Sequence, residues 1–103
     1  TELGMGIHGG LRETSVMMHL RPDLVDLSKA VRNVPEWLAA NEHVKFGGTV
    51  QFGWLSNDFG TVGHIGDPTG ASAGLGETLF DSSVDFLCQQ LREIAEFDFQ
   101  PTE

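Results

Sequence analysis

A chain of 103 residues with 40% apolar content has the length of one globular domain and is too hydrophobic to remain disordered. Six basic against fifteen acidic residues give a net charge of −9, and Arg12, Arg21, Lys29, Arg32, Lys45 and Arg92 never cluster, which excludes nucleic acid and anionic membranes as partners. Cys88 is the only cysteine, so no internal disulfide forms, and no apolar run approaches the roughly 20 residues of a membrane span. No basic stretch followed by an apolar one marks a secretory signal, and the expected location is the cytoplasm.

In chain order, Leu3 to Ile7 is apolar and glycine-rich, compatible with the end of a strand, and His8-Gly9-Gly10 breaks that pattern. A helix is predicted from about Leu11 to Leu20, stopped by Pro22, with a further turn over residues 22–25. Residues 34–38 form another short helical piece. Between Val44 and Ile65, the residues Thr49, Val50, Phe52 and Trp54 have strand character, but glycines at 47, 48, 53, 60 and 63 interrupt it. Short extended stretches and loops are expected there, with Asn57-Asp58 at a turn.

The clearest element is a helix from about Thr69 to Glu96. Leu75, Leu79, Val84, Leu87, Leu91 and Ile94 recur every three to five positions and form a stripe along one face. Asp67-Pro68-Thr69 supplies its start chemistry. Gly70, Gly74 and Gly76 weaken its first turns by up to about 1 kcal/mol each relative to alanine, and make sense where another backbone packs closely. Cys88 lies on or beside the stripe and reads as a buried structural thiol. Strand, glycine-rich loop, helix, strand and long helix make an α/β pattern with too few strands to complete a sheet.

His8, at an expected strand end before two glycines and a helix, sits where α/β proteins place ligands. Gly9 and Gly10 permit close approach of a substrate. Two readings of His8 stand together, a functional imidazole in a cleft and a structural loop histidine. Glu13, in the first helical turn, either caps the helix or orients His8. Trp54 is either core or pocket wall. Ser15 is explained as a residue of the helix start. His19, His43 and His64 have no metal-binding spacing.

His8 through Ser15 matches the HGGxxETS signature of creatininase-family proteins. Val16-Met17-Met18 fits the helix that follows, and Arg21 through Leu27 resembles the family's P-(D/E)-L-V-D segment. Gly63-His64-Ile65-Gly66-Asp67-Pro68 and the helix from Ala71 resemble its glycine return and final helix. The resemblance covers nearly the whole chain, with its weakest fit from about Asn33 to Val50. It implies the C-terminal part of a three-layer α/β/α fold around a mostly parallel sheet, with residues 1–103 as a single partial domain.

The resemblance also implies a metal-dependent amidohydrolase acting on a small or cyclic amide through two divalent metals (Zn, Mn), often as a symmetric homo-oligomer. The histidine matching His8 contacts substrate and is placed for proton transfer. Gly9, Gly10, Glu13, Trp54 and Asp58 are carried over only as pocket or orienting residues. Two departures qualify this. Where members that hydrolyse creatinine hold an acidic residue and an earlier tryptophan, this chain has Ile7 and Gly4, so creatinine is not the expected substrate. The family's ExH and NGHxxN metal-ligand elements lie upstream of the histidine signature, and these 103 residues hold neither.

The start at Thr1 rather than Met is read as a true N-terminus lost, processed or never cloned, and the metal-ligand half as missing because its elements are absent. The chain alone is therefore expected to bind no metal and to be inactive. The alternative is a non-catalytic, truncated or diverged relative serving as an oligomerisation or binding module. Either way, an uncovered apolar face predicts self-association.

Overall fold

The computed structural model describes residues 2–102. Helix α1 spans Leu11–Leu20, helix α2 is one turn at Glu36–Ala39, and helix α3 spans Ala73–Glu96. Single 3₁₀ turns at Pro22–Leu24, Leu27–Lys29, Ser56–Phe59 and Pro68–Gly70 punctuate the loops between them. The start of α3 is later than the spacing predicts. Asp67 first caps a separate turn by accepting from the Thr69 N–H at 3.1 Å, and Ser72 then opens the long helix by accepting from the Leu75 N–H at 3.1 Å.

The expected α/β fold with a mostly parallel sheet is not what the chain forms. Among the described residues there is no strand, only isolated bridges: His8 with Ile65 and Asn33 with Gly66, both antiparallel, and Val44 with Val50, parallel. The physical reason is local. Leu3 (φ +52°) and Gly4 (φ +77°) turn the first apolar segment out of extended geometry, and Gly47 (φ +77°) does the same before Thr49–Trp54. Strand propensity at Thr49, Val50, Phe52 and Trp54 then finds no long partner to hydrogen-bond.

Packing divides into two regions. Met5, Leu38, Phe59 and Ile65 are buried together, with Val34, Ala39, Phe46 and Phe52 around them. Loops and α2 supply this cluster, and α3 contributes nothing to it. The second region is the crossing of α1 on the first turns of α3. Ser15, wholly buried, accepts there from the Ser72 N–H at 3.1 Å, so it marks the helix crossing in the middle of α1 rather than its start. Gly76 lies against the Ser15 carbonyl so closely that a Cβ would overlap it. The close-packing role expected of these glycines belongs to Gly76. Gly74 faces open space.

Glu2 joins the two regions. Its Oε1 accepts from the Leu11 N–H at 2.8 Å, at the start of α1, and from the Asp67 N–H at 2.7 Å. Asp67 in turn binds Arg32 at 2.9 Å. The Thr69 hydroxyl, and then the Arg32 guanidinium, hold the Asp67 carboxyl below the ordinary carboxylate value of 3.8. A depressed folded value means that Asp67 contributes stability above the unfolded value and loses it as pH falls through the lower folded value. In acid titrations followed by circular dichroism, Asp67→Asn should therefore flatten the loss of stability below about pH 4. An unchanged acid limb would show that other carboxylates set it.

Candidate active site

The antiparallel bridge builds the site. The Ile7 and His8 N–H groups both donate to the Ile65 carbonyl, at 2.9 and 3.0 Å, and the Ile65 N–H returns a bond to the His8 carbonyl at 2.9 Å. His8 is thereby fixed beside the Gly63–Gly66 return. Gly9 makes the turn after it with φ +63°, and a Cβ there would come within 3.1 Å of the His64 Cβ. A side chain on Gly10 would overlap the Glu2 carboxylate and press on Gly6, and one on Gly66 would overlap Gly10.

Glu13 reaches back from the first turn of α1. Its Oε2 accepts from the Gly9 N–H at 2.6 Å and lies 3.8 Å from the His8 Nδ1. The short bond is to the backbone and the longer contact is to the imidazole, so Glu13 secures the turn first and faces His8 second. The His8 side chain is 68% exposed and therefore accessible to a ligand.

A cavity of about 540 Å³ opens in front of His8. Trp54, Ser56, Asn57, Thr61 and His64 line it with His8, over a floor that includes buried Ile65. This is the size range of small-molecule sites. Trp54 takes part in both alternatives read for it. It packs edge-on against Phe46 and Phe59, with ring centroids 5.6 and 5.4 Å away, and it also forms cavity wall. Asp58 does not line this cavity. Its carboxylate accepts from the Leu55 N–H at 2.8 Å, closing the Ser56–Phe59 turn behind Trp54, and it borders a neighbouring hollow with Trp37.

Two residues outside the expected set prove central. Asn33 donates from Nδ2 to the Phe59 and His64 carbonyls, both at 2.7 Å, while its backbone pairs with Gly66. It thus clamps both ends of the loop that forms the outer wall. His64 places its Nε2 2.6 Å from the Val31 carbonyl. A carbonyl only accepts, so Nε2 carries the proton and Nδ1 of the neutral ring is left as an acceptor. The glycines around His64 were the available signal for it, since they mark a tight return. Nothing local marks Asn33.

The Asn33 clamp gives a direct test. Asn33→Asp replaces a donor by an acceptor facing two carbonyls, which should cost about 1–3 kcal/mol. It should also speed amide hydrogen exchange over residues 60–64. Unchanged exchange there would remove Asn33 from the account of the wall.

Cys88 is exposed, which corrects its reading as a buried thiol. The reason is that the last turns of α3 have no neighbour to cover them. Among the described residues no three His, Cys, Asp or Glu side chains gather as a metal site. Among the described residues, then, no donor set fits a divalent metal. Nor, among the described residues, is any helix long and apolar enough to cross a membrane.

A cavity with an accessible imidazole, a carboxylate behind it and an indole wall is of the kind used to hold small polar substrates. The model of the creatininase family, described as creatinine amidohydrolase, matches residues 1–91. The chain belongs to this amidohydrolase family, whose members are generally metal-dependent. No curated protein and no solved structure matches it.

Proposed function

We propose that this chain forms the substrate-facing part of a metal-dependent amidohydrolase for a small or cyclic amide other than creatinine, with residues 1–103 as one partial domain. The observation that carries this reading is His8 and Trp54 on one cavity, with Glu13 behind the imidazole, in a chain of this family. An imidazole whose Nδ1 faces a carboxylate keeps Nε2 as the proton-accepting atom. His8 is thus the residue that moves a proton to or from the bound amide. Trp54 offers a flat apolar face to the substrate. Gly9 and Gly10 form the tight turn that holds His8 at the cavity's edge, and Asp58 orients the loop that carries Trp54. Ile7, exposed and apolar, offers no countercharge for a cationic ring.

The two metals belong, in this reading, to residues outside these 103, and the chain by itself is inactive. A cytoplasmic location and assembly into a homo-oligomer complete it. The test is metal content by mass spectrometry after Zn and Mn are supplied to the purified chain. Substoichiometric metal is the expected result. About two ions per chain would mean that ligands within these residues bind them, and the assignment of the centre would fail.

A further inference from the structure

Among the described residues, no Asp, Glu, Lys or Arg lines the cavity in front of His8, in a chain that has fifteen acidic and six basic residues. A ligand held there is oriented by hydrogen bonds rather than by charge. Most polar residues of the wall cannot choose between a donor and an acceptor. Ser56 and Thr61 carry hydroxyls that rotate to suit either, and Asn57 carries an amide that offers both. His8, as the proton-transfer residue, holds a proton at one stage of a reaction and lacks it at another. His64 differs from all of these.

Its ring is tied by one bond, from Nε2 to the Val31 carbonyl at 2.6 Å, which sets the tautomer and leaves Nδ1 as an acceptor. The two nitrogens of an imidazole face nearly opposite ways, so Nδ1 lies on the side of the ring away from Val31. The His64 residue forms cavity wall and Val31 does not. Among the described residues Nδ1 has no partner. The backbone is held as firmly as the ring. Asn33 donates from Nδ2 to the His64 carbonyl at 2.7 Å and exchanges backbone bonds with Gly66 at 2.9 and 2.8 Å. On the other side Gly9 stands so near that the His64 Cβ has no room to shift toward the His8 turn. Fixing a group from both sides is what a specific contact requires.

We propose that His64 is a specificity-determining residue whose Nδ1 accepts the N–H of the bound amide, so that the site takes amides with a hydrogen on nitrogen and disfavours those fully substituted there. This rests on reading the cavity as an amide site and adds to it the class of amide. A locked acceptor welcomes an N–H and repels a carbonyl oxygen, so His64 also sets which way round the amide lies. The carbonyl is then left to the hydroxyls of Ser56 and Thr61, which can turn to donate. A methyl group on the nitrogen would leave Nδ1 facing carbon, stripped of water and unpaired, which is how a site built for an N–H rejects an analogue without one.

The test is an NMR titration of the purified, metal-free chain in mildly alkaline buffer with two neutral lactams, pyrrolidinone and N-methylpyrrolidinone. Pyrrolidinone should bind roughly 10-fold more tightly. In His64→Phe, which keeps a flat ring in the wall but has no acceptor, that ratio should fall to about one. A purely structural His64 would weaken both probes alike and leave the ratio at its wild-type value, which would overturn the proposal. So would equal binding of the two probes by the wild-type chain, or no binding of either. Ring-nitrogen spectra of the wild-type chain keep the test independent of how the variant folds. Nε2 of His64 should carry the proton, and the Nδ1 signal should move when pyrrolidinone is added but not with the N-methyl analogue. A proton on Nδ1 instead would also overturn the proposal. None of these readouts needs turnover. If they fail while His8→Ala still abolishes hydrolysis by the metal-loaded hydrolase, the amide reading stands and His64 leaves it. If the probes are discriminated while His8→Ala changes nothing, His64 stands and the proton-transfer role of His8 is what fails.

Discussion

Alanine at position 76 should melt roughly 10 °C below the wild-type chain, whereas alanine at position 74, two residues earlier in the same helix, should melt higher. The two glycines have the same helical backbone and differ only in what faces them. A Cβ at Gly76 overlaps the Ser15 carbonyl, and a backbone carbonyl within α1 cannot swing aside as a side chain end would. Overpacking of this kind costs about 1–3 kcal/mol and sometimes more, and outweighs the roughly 1 kcal/mol of helix propensity gained over glycine. At Gly74 nothing lies within 4 Å of the new Cβ, so only the propensity gain remains. Thermal unfolding at one fixed protein concentration compares them, since self-association would shift both values. If the two variants moved in the same direction, the Ser15–Gly76 contact would not be what holds α1 on α3.

His8→Ala should lower amide hydrolysis by the metal-loaded hydrolase containing this segment by about 100- to 10,000-fold, the usual worth of a positioned proton-transfer group. The loss should fall on kcat, because the wall that binds substrate remains. Trp54→Ala should instead raise KM, with a smaller effect on kcat. Glu13→Gln separates the two duties of that residue. A glutamine amide oxygen still accepts the Gly9 N–H, now 2.6 Å from the carboxylate, but brings no charge to His8. It should therefore keep the turn and lower kcat by much less than His8→Ala does. Unchanged rates in His8→Ala would remove His8 from the proton transfer.

What the sequence made visible was whatever depends on neighbours along the chain. The 3.6-residue period and Pro22 bound α1 at Leu11 and Leu20, as the structure has it. The turn at Asn57-Asp58 follows from local side chain chemistry in the same way. The sheet was a different matter. Strand propensity at Thr49–Trp54 says that a residue tolerates extended backbone, and only a distant partner makes a strand of it. The candidate site divides along the same line. His8, Gly9 and Glu13 sit within one short motif, whereas the Asn33 clamp acts on Phe59 and His64, 26 and 31 residues away, and leaves no local trace. Cys88 was misread because a stripe on a helix shows which face seeks cover, not whether the chain itself supplies it.

The bond from Glu2 to Asp67 spans 65 residues, and that from Ser15 to Ser72 spans 57. Helical chains are usually quick folders because their contacts are local, and α1 and α3 can each form within microseconds. Here the loop that joins them has to close before either helix finds its neighbour, and that closure entropy is met before any reward. The rate-limiting event is therefore a search by the chain ends, not helix growth. Stopped-flow fluorescence of Trp37 and Trp54 should show refolding over milliseconds to seconds, a pace more typical of β proteins.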